Sequence, residues 1–239
     1  MRINKFMAKC GVCSRRDADE LIKKGEVKIN GRTAVIGDEA GEDDEVTVSG
    51  KKISLPDDPV VIAYYKPAGV VCTERDPHAG RIISDEIPSS VTDGKRVTYA
   101  GRLDKDSEGL IILTDDGDLI DAMMRGSHMH EKEYEVTVDR TLRESDIKNM
   151  RNGIRLEELD TVTRPCRVTR TGDSSFNIIL TQGLNRQIRR MCESLGLKVV
   201  TLKRTRVMNI NLKNMQVGAS RKLTSEEKKT LYSGCGLHI

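Results

Sequence analysis

The residues best suited to chemistry lie in three short strings. The densest is Ala100-Gly101-Arg102-Leu103-Asp104-Lys105-Asp106-Ser107-Glu108-Gly109-Leu110, set between two β-rich segments with glycines near both ends. A loop aspartate such as Asp104 has two readings: a turn former that bonds its own backbone, or a carboxylate held out for catalysis. Lys132-Glu133-Tyr134 opens the second string, where strand alternation puts Lys132 and Tyr134 on one face. With five tyrosines, two phenylalanines and no tryptophan, the chain has few aromatic surfaces to offer, so Tyr134 stands out. The third string, Gly183-Leu184-Asn185-Arg186-Gln187-Ile188-Arg189-Arg190-Met191, reads as a helix start with arginines in its first turns. The helix macrodipole disfavours cations there. Arg186, Arg189 and Arg190 therefore point to an anionic partner, a carboxylate or a phosphate, or else to a face tuned for solubility.

Other chemistries lack their residues. Cys10-Gly11-Val12-Cys13 has the spacing of a redox pair or half a zinc site. A zinc site needs a second ligand pair, and Cys72, Cys166, Cys192 and Cys235 are isolated in sequence. A thioredoxin-type pair follows a buried strand; this one lies between two short helices and is read as packing. His78, His128, His130 and His238 have no metal-ligand spacing, and Gly126-Ser127-His128-Met129 is read as loop. No G-x-G-x-x-G follows a strand and no G-K-[ST] loop is present, so neither a nucleotide nor an S-adenosylmethionine cofactor is expected. The expected cofactor is none, and the expected metal none.

The elements that must hold these strings divide into two blocks, residues 1–56 and 57–239. In the first, Ile3, Phe6 and Met7 fall at helical spacing. Ser14-Arg15-Arg16-Asp17 resembles a capping box ahead of a second helix that buries Ala18, Leu21 and Ile22. That helix turns Arg15, Arg16, Lys23 and Lys24 to solvent. Val27 and Ile29 alternate as a strand ending in an Asn30-Gly31 turn, and residues 45–48 form a second strand. Pro56 and Pro59 mark a linker. Beyond it, strands are expected at 60–65, 97–100, 110–114, 133–139, 176–180 and 198–202. Helices are expected at 118–125, 144–152, 185–195 and 225–232, the last capped by Thr224 and Glu227. Strands and helices do not alternate strictly, so the fold class is α+β with a mixed, mainly antiparallel sheet.

Charge is distributed unevenly along these blocks. Residues 1–32 carry nine Lys/Arg against four Asp/Glu, and residues 181–206 carry seven against Glu193 alone. Between them, residues 38–58 hold eight acids and two lysines. Two basic blocks parted by an acidic one suggest a polyanion bound at two places, or simply solvated helix faces. Apolar runs such as Leu110-Ile111-Ile112-Leu113 fall far short of the about 20 residues of a membrane span. The start of the chain has no apolar stretch fit for a secretory signal, and a cytosolic protein with reduced thiols is expected.

Four ordered motifs resemble one family, the RsuA/Rlu-type pseudouridine synthases. They are Tyr65-Lys66-Pro67-Ala68-Gly69, then Gly101-Arg102-Leu103-Asp104 with Ser107 and Gly109-Leu110, then Lys132-x-Tyr134, and Asn185-Arg186-Gln187-Ile188-Arg189-Arg190-Met191. Cys13-Ser14-Arg15-Arg16-Asp17-Ala18 and Val27-x-Ile29-Asn30-Gly31 are similar to the small RNA-binding domain named after ribosomal protein S four. Glu131-Lys132-Glu133-Tyr134 and Arg204-Thr205-Arg206-Val207-Met208-Asn209 look most like the RluF branch, which acts on large-subunit ribosomal RNA. The resemblance implies a small S-four-type domain, then a catalytic domain that isomerises a uridine to pseudouridine without cofactor. It makes Asp104 the nucleophile or base near the anomeric carbon and sets Arg189 beside it, since an isolated carboxylate in a dry pocket needs a cation to stay ionised. The target base must leave its stack. Tyr134 would stack on the extruded uracil, Arg102 would brace the vacated space, and Leu202 would touch the base or simply pack in the core. Lys66 and Pro67 would shape the floor beneath the loop.

Arg15, Arg16, Lys23, Arg186 and Arg190 are the expected RNA contacts. The expected partner is ribosomal RNA, with transfer RNA open as a second substrate, no membrane, and a monomeric protein. A second reading is a non-catalytic RNA-binding or ribosome-assembly protein in which Asp104 only forms a turn. A fragment of an aminoacyl-tRNA synthetase would need a nucleotide signature that the chain lacks.

Overall fold

A computed structural model describes residues 1–56, 58–73, 80–125, 127 and 129–238. Asp57, Gly126 and the histidines at 78 and 128, which figured in the sequence reading, lie outside the described residues. The first block folds as α1 (Ile3–Lys9) and α2 (Arg15–Lys23) against strands β1 (Val27–Ile29), β2 (Arg32–Thr33), β3 (Val46–Val48) and β4 (Lys51–Ile53). The strands form an antiparallel sheet in the order β2-β1-β3-β4. Local chemistry explains the joints. The Ser14 hydroxyl accepts the Asp17 amide at 3.1 Å and starts α2. Asn30 and Gly31 take φ of 49° and 80°, the left-handed pair a tight hairpin requires. Ile3, Phe6, Met7, Ala18, Ile22, Val27, Val46 and Val48 form one core, with Cys10 and Cys13 packed at its margin. Burial pushes the Cys10 thiol up to about 11, which suits a packing residue rather than a nucleophile.

The second block is built on β5 (Val61–Lys66), β6 (Thr98–Tyr99), β7 (Glu108–Thr114), β8 (Lys132–Val138), a small hairpin of β9 (Arg155–Leu156) and β10 (Thr161–Val162), β11 (Arg167–Arg170), β12 (Ser175–Leu180), β13 (Val199–Val207), β14 (Ile210–Asn211) and β15 (Ser220–Lys222). Its helices are α3 (Ser89–Thr92), α4 (Gly117–Met124), α5 (Glu144–Asn152), α6 (Gln187–Glu193) and α7 (Ser225–Gly234). The main sheet runs β11-β12-β8-β13-β7-β5-β15, with β14 on β13 and β6 on β7. Every pairing among the described strands is antiparallel except β13 on β7, which is held by only two register pairs, Lys203 with Glu108 and Arg204 with Gly109. That junction is a seam between two half-sheets. On one half, α5 and α6 cover Val136, Val138, Phe176, Ile178, Leu180 and Leu202. On the other, α4 and α7 cover Val61, Ala63, Tyr65, Leu110 and Ile112, while Ile62, Tyr64, Ile111 and Leu113 fill a separate core on the opposite face.

The sequence reading fares differently from element to element. The α+β, mainly antiparallel class holds. The strand expected at 198–202 continues to Val207, because Arg204 is buried with its charge directed at backbone carbonyls rather than at water. The helix expected at 185–195 is shorter: Arg186 takes a left-handed conformation, φ 50°, and α6 begins only at Gln187. The two blocks also touch. Lys5 and Lys9 on α1 each reach the Asp118 carboxylate, at 2.5 Å, at the start of α4. No helix among the described residues is long and apolar enough to cross a membrane.

Candidate active site

Asp104 lies on the loop that leads into β7, at the seam. The loop is fixed from several sides. Ser107 N–H donates to the Asp104 carbonyl at 3.1 Å, closing a turn, and the Lys105 carbonyl accepts from Gly69 N–H at 2.7 Å. The Leu103 amide reaches Cys72 Sγ at 3.5 Å, and Leu103 itself is buried. Beneath, Lys66 is fully buried and donates to the carbonyls of Pro67 and Val70 at 2.8 and 2.9 Å. Its ammonium is pushed down by burial, against the opposing pull of Cys72, Asp106 and Asp104. A buried lysine thus shapes the loop that supports the loop of Asp104.

Two guanidinium groups face the Asp104 carboxylate. Arg186 Nη1 is 3.3 Å from Asp104 Oδ2, and Arg189 Nε is 3.9 Å from the same oxygen. They are not equivalent. Arg189 is buried and its Nη2 is locked, donating to the Asp106 carbonyl and Ser107 Oγ at 3.1 Å each and lying 3.2 Å from Asp106 Oδ2. Arg186 is exposed and also spans to Asp106 at 3.5 Å. The question the sequence left open, carboxylate or phosphate, has an answer for these two: their partners in the fold are Asp104 and Asp106. Arg189 Nε, buried, makes no hydrogen bond among the described residues. It is aimed at a carboxylate just beyond bonding distance.

Sheet register places the third string beside this pair. A row of residues crosses five strands: Lys66, Gly109, Arg204, Tyr134 and Ile178. Gly109 is required where it stands, since a Cβ there would lie 2.3 Å from Arg204 O and 2.4 Å from Arg204 N, at a φ of 121°. Arg204 Nε donates to the Leu110 carbonyl at 2.7 Å, and its Nη1 reaches the Arg102 carbonyl at 3.4 Å. Tyr134 is half-buried and packs against the cores on both sides of the seam. One cross-strand neighbour therefore separates Tyr134 from the backbone of the Asp104 loop.

Asp104, Arg186, Arg189 and Tyr134 converge on the seam. Arg102 is exposed two residues before Asp104. Leu202 is 7% exposed and belongs to the core of the α5–α6 half, two residue pairs along from Tyr134. Arg190 turns away, paired with Glu158 and with the Asn185 carbonyl at 3.1 Å. Arg15, Arg16 and Lys23 are exposed on α2, with Lys23 paired to Glu20 at 2.7 Å. Two contributors were given no role in the sequence reading: Asp106, which with the motif residue Ser107 holds Arg189, and Arg204. The signal for Arg204 was a basic residue at an inward position of a strand, two after Leu202.

Residues 60–194 match the family model described as RNA pseudouridylate synthase, and residues 1–46 match the S4 domain. A dual-specificity RNA pseudouridine synthase RluF of Salmonella typhi is 45% identical over 233 residues, which cover 97% of this chain and 78% of that protein. Ribosomal large subunit pseudouridine synthase B of Bacillus subtilis is 34% identical over 238 residues, covering 96% and 95%. A crystal structure of pseudouridylate synthase aligns with a TM-score of 0.71 at 28% identity, over 97% of this chain and 99% of that one.

Proposed function

Since the chain belongs to the RNA pseudouridylate synthase family and carries an S4 domain ahead of that fold, we propose that it isomerises a specific uridine of large-subunit ribosomal RNA to pseudouridine, with Asp104 as the catalytic carboxylate. The observation that carries this is the Asp104–Arg189 pair: a carboxylate, one-third exposed, backed by a guanidinium that is 8% exposed and fixed by Ser107 and Asp106. The reaction breaks the bond from ribose C1′ to uracil N1, turns the ring, and joins C1′ to C5. Asp104 acts at the sugar as nucleophile or base, and the rigid fork of Arg189 keeps it aimed. Tyr134 serves as the platform for the extruded base, and Arg102, exposed on the loop of Asp104, braces the stack the base has left. Arg186, exposed, exchanges carboxylate for RNA phosphate when substrate arrives. The ribosomal target is supported by the name of the Bacillus subtilis relative, and the basic face of α2 supplies register on RNA.

The test maps pseudouridines in ribosomal and transfer RNA from cells with and without this protein, and in the same RNAs treated with purified protein. One large-subunit position should be gained with the wild type and none with Asp104→Asn. The Asp104 contacts are 3.3 Å or longer and Asp106 remains to pair both arginines, so losing the charge should cost about 0–1 kcal/mol of stability and leave RNA affinity intact. Pseudouridine made by pure Asp104→Asn overturns the assignment. RNA bound but unchanged by the wild type means a binding protein, and a gain confined to transfer RNA means a different substrate.

A further inference from the structure

Two cations beside Tyr134 have no carboxylate partner among the described residues. Arg204 is 2% exposed; its Nε and Nη1 are engaged with carbonyls, and its buried Nη2 makes no hydrogen bond. Lys132, on the neighbouring strand, shares the face of Tyr134, is half-buried, and its side chain enters no hydrogen bond or ion pair among the described residues. Burial and then Arg204 hold its ammonium below the ordinary lysine range. The carboxylates nearby in sequence are already committed: Glu131 and Glu133 to Arg206, Glu135 to Lys203. Two desolvated like charges without a counter-ion are costly, so a fold that keeps them is organised around an anion brought from outside.

Depth decides which anion. A phosphodiester keeps its oxygens in water and meets cations at a rim, which here is supplied by the exposed Arg102, Lys105 and Arg186. Arg204 and Lys132 are both less exposed than that rim: Arg204 is buried directly opposite Tyr134, and Lys132 is half-buried on the same face of β8 two residues before Tyr134. We propose that Lys132 and Arg204 form an anion subsite for the uracil ring itself, stabilising the negative charge the ring carries after it separates from the sugar. The inference rests on the reading of Tyr134 as the base platform. When the C1′–N1 bond breaks, its electron pair leaves with the ring and is shared by N1, O2 and O4. Asp104 balances the electron deficiency at the sugar, either by bonding C1′ or by taking a sugar proton. The ring then joins C1′ through C5 as the Asp104–C1′ bond breaks, or as the proton taken from the sugar is returned to it; the C5 proton is lost and N1 gains one, so the overall change is an isomerisation with no co-reactant. Cations fixed beforehand next to developing charge lower its energy without reorganising.

Arg204 also braces the Arg102 carbonyl, so Lys132 is the cleaner probe. Lys132→Met, Lys132→Gln and Lys132→Arg are compared with wild type in single-turnover cleavage of the C1′–N1 bond, on saturating RNA carrying either uridine or 5-fluorouridine at the mapped site. Fluorine withdraws electrons and stabilises the ring anion, so it replaces part of what the lysine supplies. Lys132→Met and Lys132→Gln should slow uridine cleavage at least tenfold, with a smaller loss on 5-fluorouridine, while Lys132→Arg recovers most of the rate and Kd stays within twofold. An equal loss on both RNAs overturns the proposal, as does an unchanged rate. A loss found entirely in Kd, with a shallower salt dependence, overturns it in favour of a phosphate contact. A wild type that cleaves neither RNA overturns the functional reading, and this inference with it.

Discussion

Replacing Gly109 with alanine strikes the one place where the two half-sheets join. The added methyl would lie 2.3, 2.4 and 2.9 Å from the O, N and C atoms of Arg204, all backbone, so no side chain can swing aside. Ordinary contact needs more than a further 1 Å, and β13 is paired to β7 at only two positions there. A φ of 121° adds strain for any side chain. Strain of about 1–3 kcal/mol and overpacking of about 1–3 kcal/mol together give about 2–6 kcal/mol. A chain of this size loses about 2–4 °C in Tm per kcal/mol, so thermal melts followed by far-ultraviolet circular dichroism should fall by about 4–24 °C. Gly69→Ala separates the two terms: its φ is 92° but nothing lies within 4 Å of the new Cβ, so only the backbone cost of about 1–2 kcal/mol applies. A Gly109→Ala protein melting within 2 °C of wild type, or no lower than Gly69→Ala, would refute the close-approach argument.

Arg189→Lys keeps the charge but loses the fork that holds the Asp106 carbonyl and Ser107 together, so single-turnover rate should fall at least ~100-fold with a stability loss of about 1–3 kcal/mol; full activity in Arg189→Lys would show that point charge alone suffices. The Glu227 carboxyl, hydrogen-bonded by Arg221 and by the Thr224 amide, is drawn down to about 2, so its contribution is complete above pH 4.5 and is lost as the pH falls towards 2. Glu227→Gln should therefore destabilise the protein at pH 7 by about 1–2 kcal/mol, with the difference from wild type closing in acid, and a gap that persists at pH 2 would contradict the assignment. Replacing Arg15 and Arg16 together with alanine should make RNA binding less steep in salt by about one unit of log–log slope per lost phosphate contact, while the rate at saturating RNA stays unchanged. An unaltered slope would mean that this face of α2 does not meet RNA.

What could be read in advance follows from how locally each feature is determined. The alternation of Phe176, Ile178 and Leu180 and the caps at Ser14 and Thr224 are decided within a few residues, and each appears where expected. Strands β11 and β15 carry arginines and lysines on an edge or near one, and nothing in Arg167–Arg170 or Ser220–Lys222 distinguishes such a strand from a polar loop. The Lys203–Arg206 stretch misled for the opposite reason: it looks like surface, yet Arg204 is buried because carbonyls across the seam satisfy it. In the candidate site, Asp104, Tyr134 and Arg189 were legible through motif resemblance. Their arrangement was not, since it depends on Ser107 and Asp106 meeting Arg189, and Gly69 meeting Lys105, across loops separated by dozens of residues.

The contact between Lys5, Lys9 and Asp118 changes what a salt titration counts. A lysine that leaves a carboxylate for a phosphate frees one cation from the RNA, while the deserted Asp118 takes one up from solution. The net ion exchange for that lysine is zero. Because Lys5 and Lys9 share the single Asp118 carboxylate, the slope of log affinity against log salt counts one phosphate fewer than the two lysines of α1 meet. With Asp118→Asn the same two lysines enter the exchange, so this variant should bind more steeply in salt than the wild type although it has gained no positive residue.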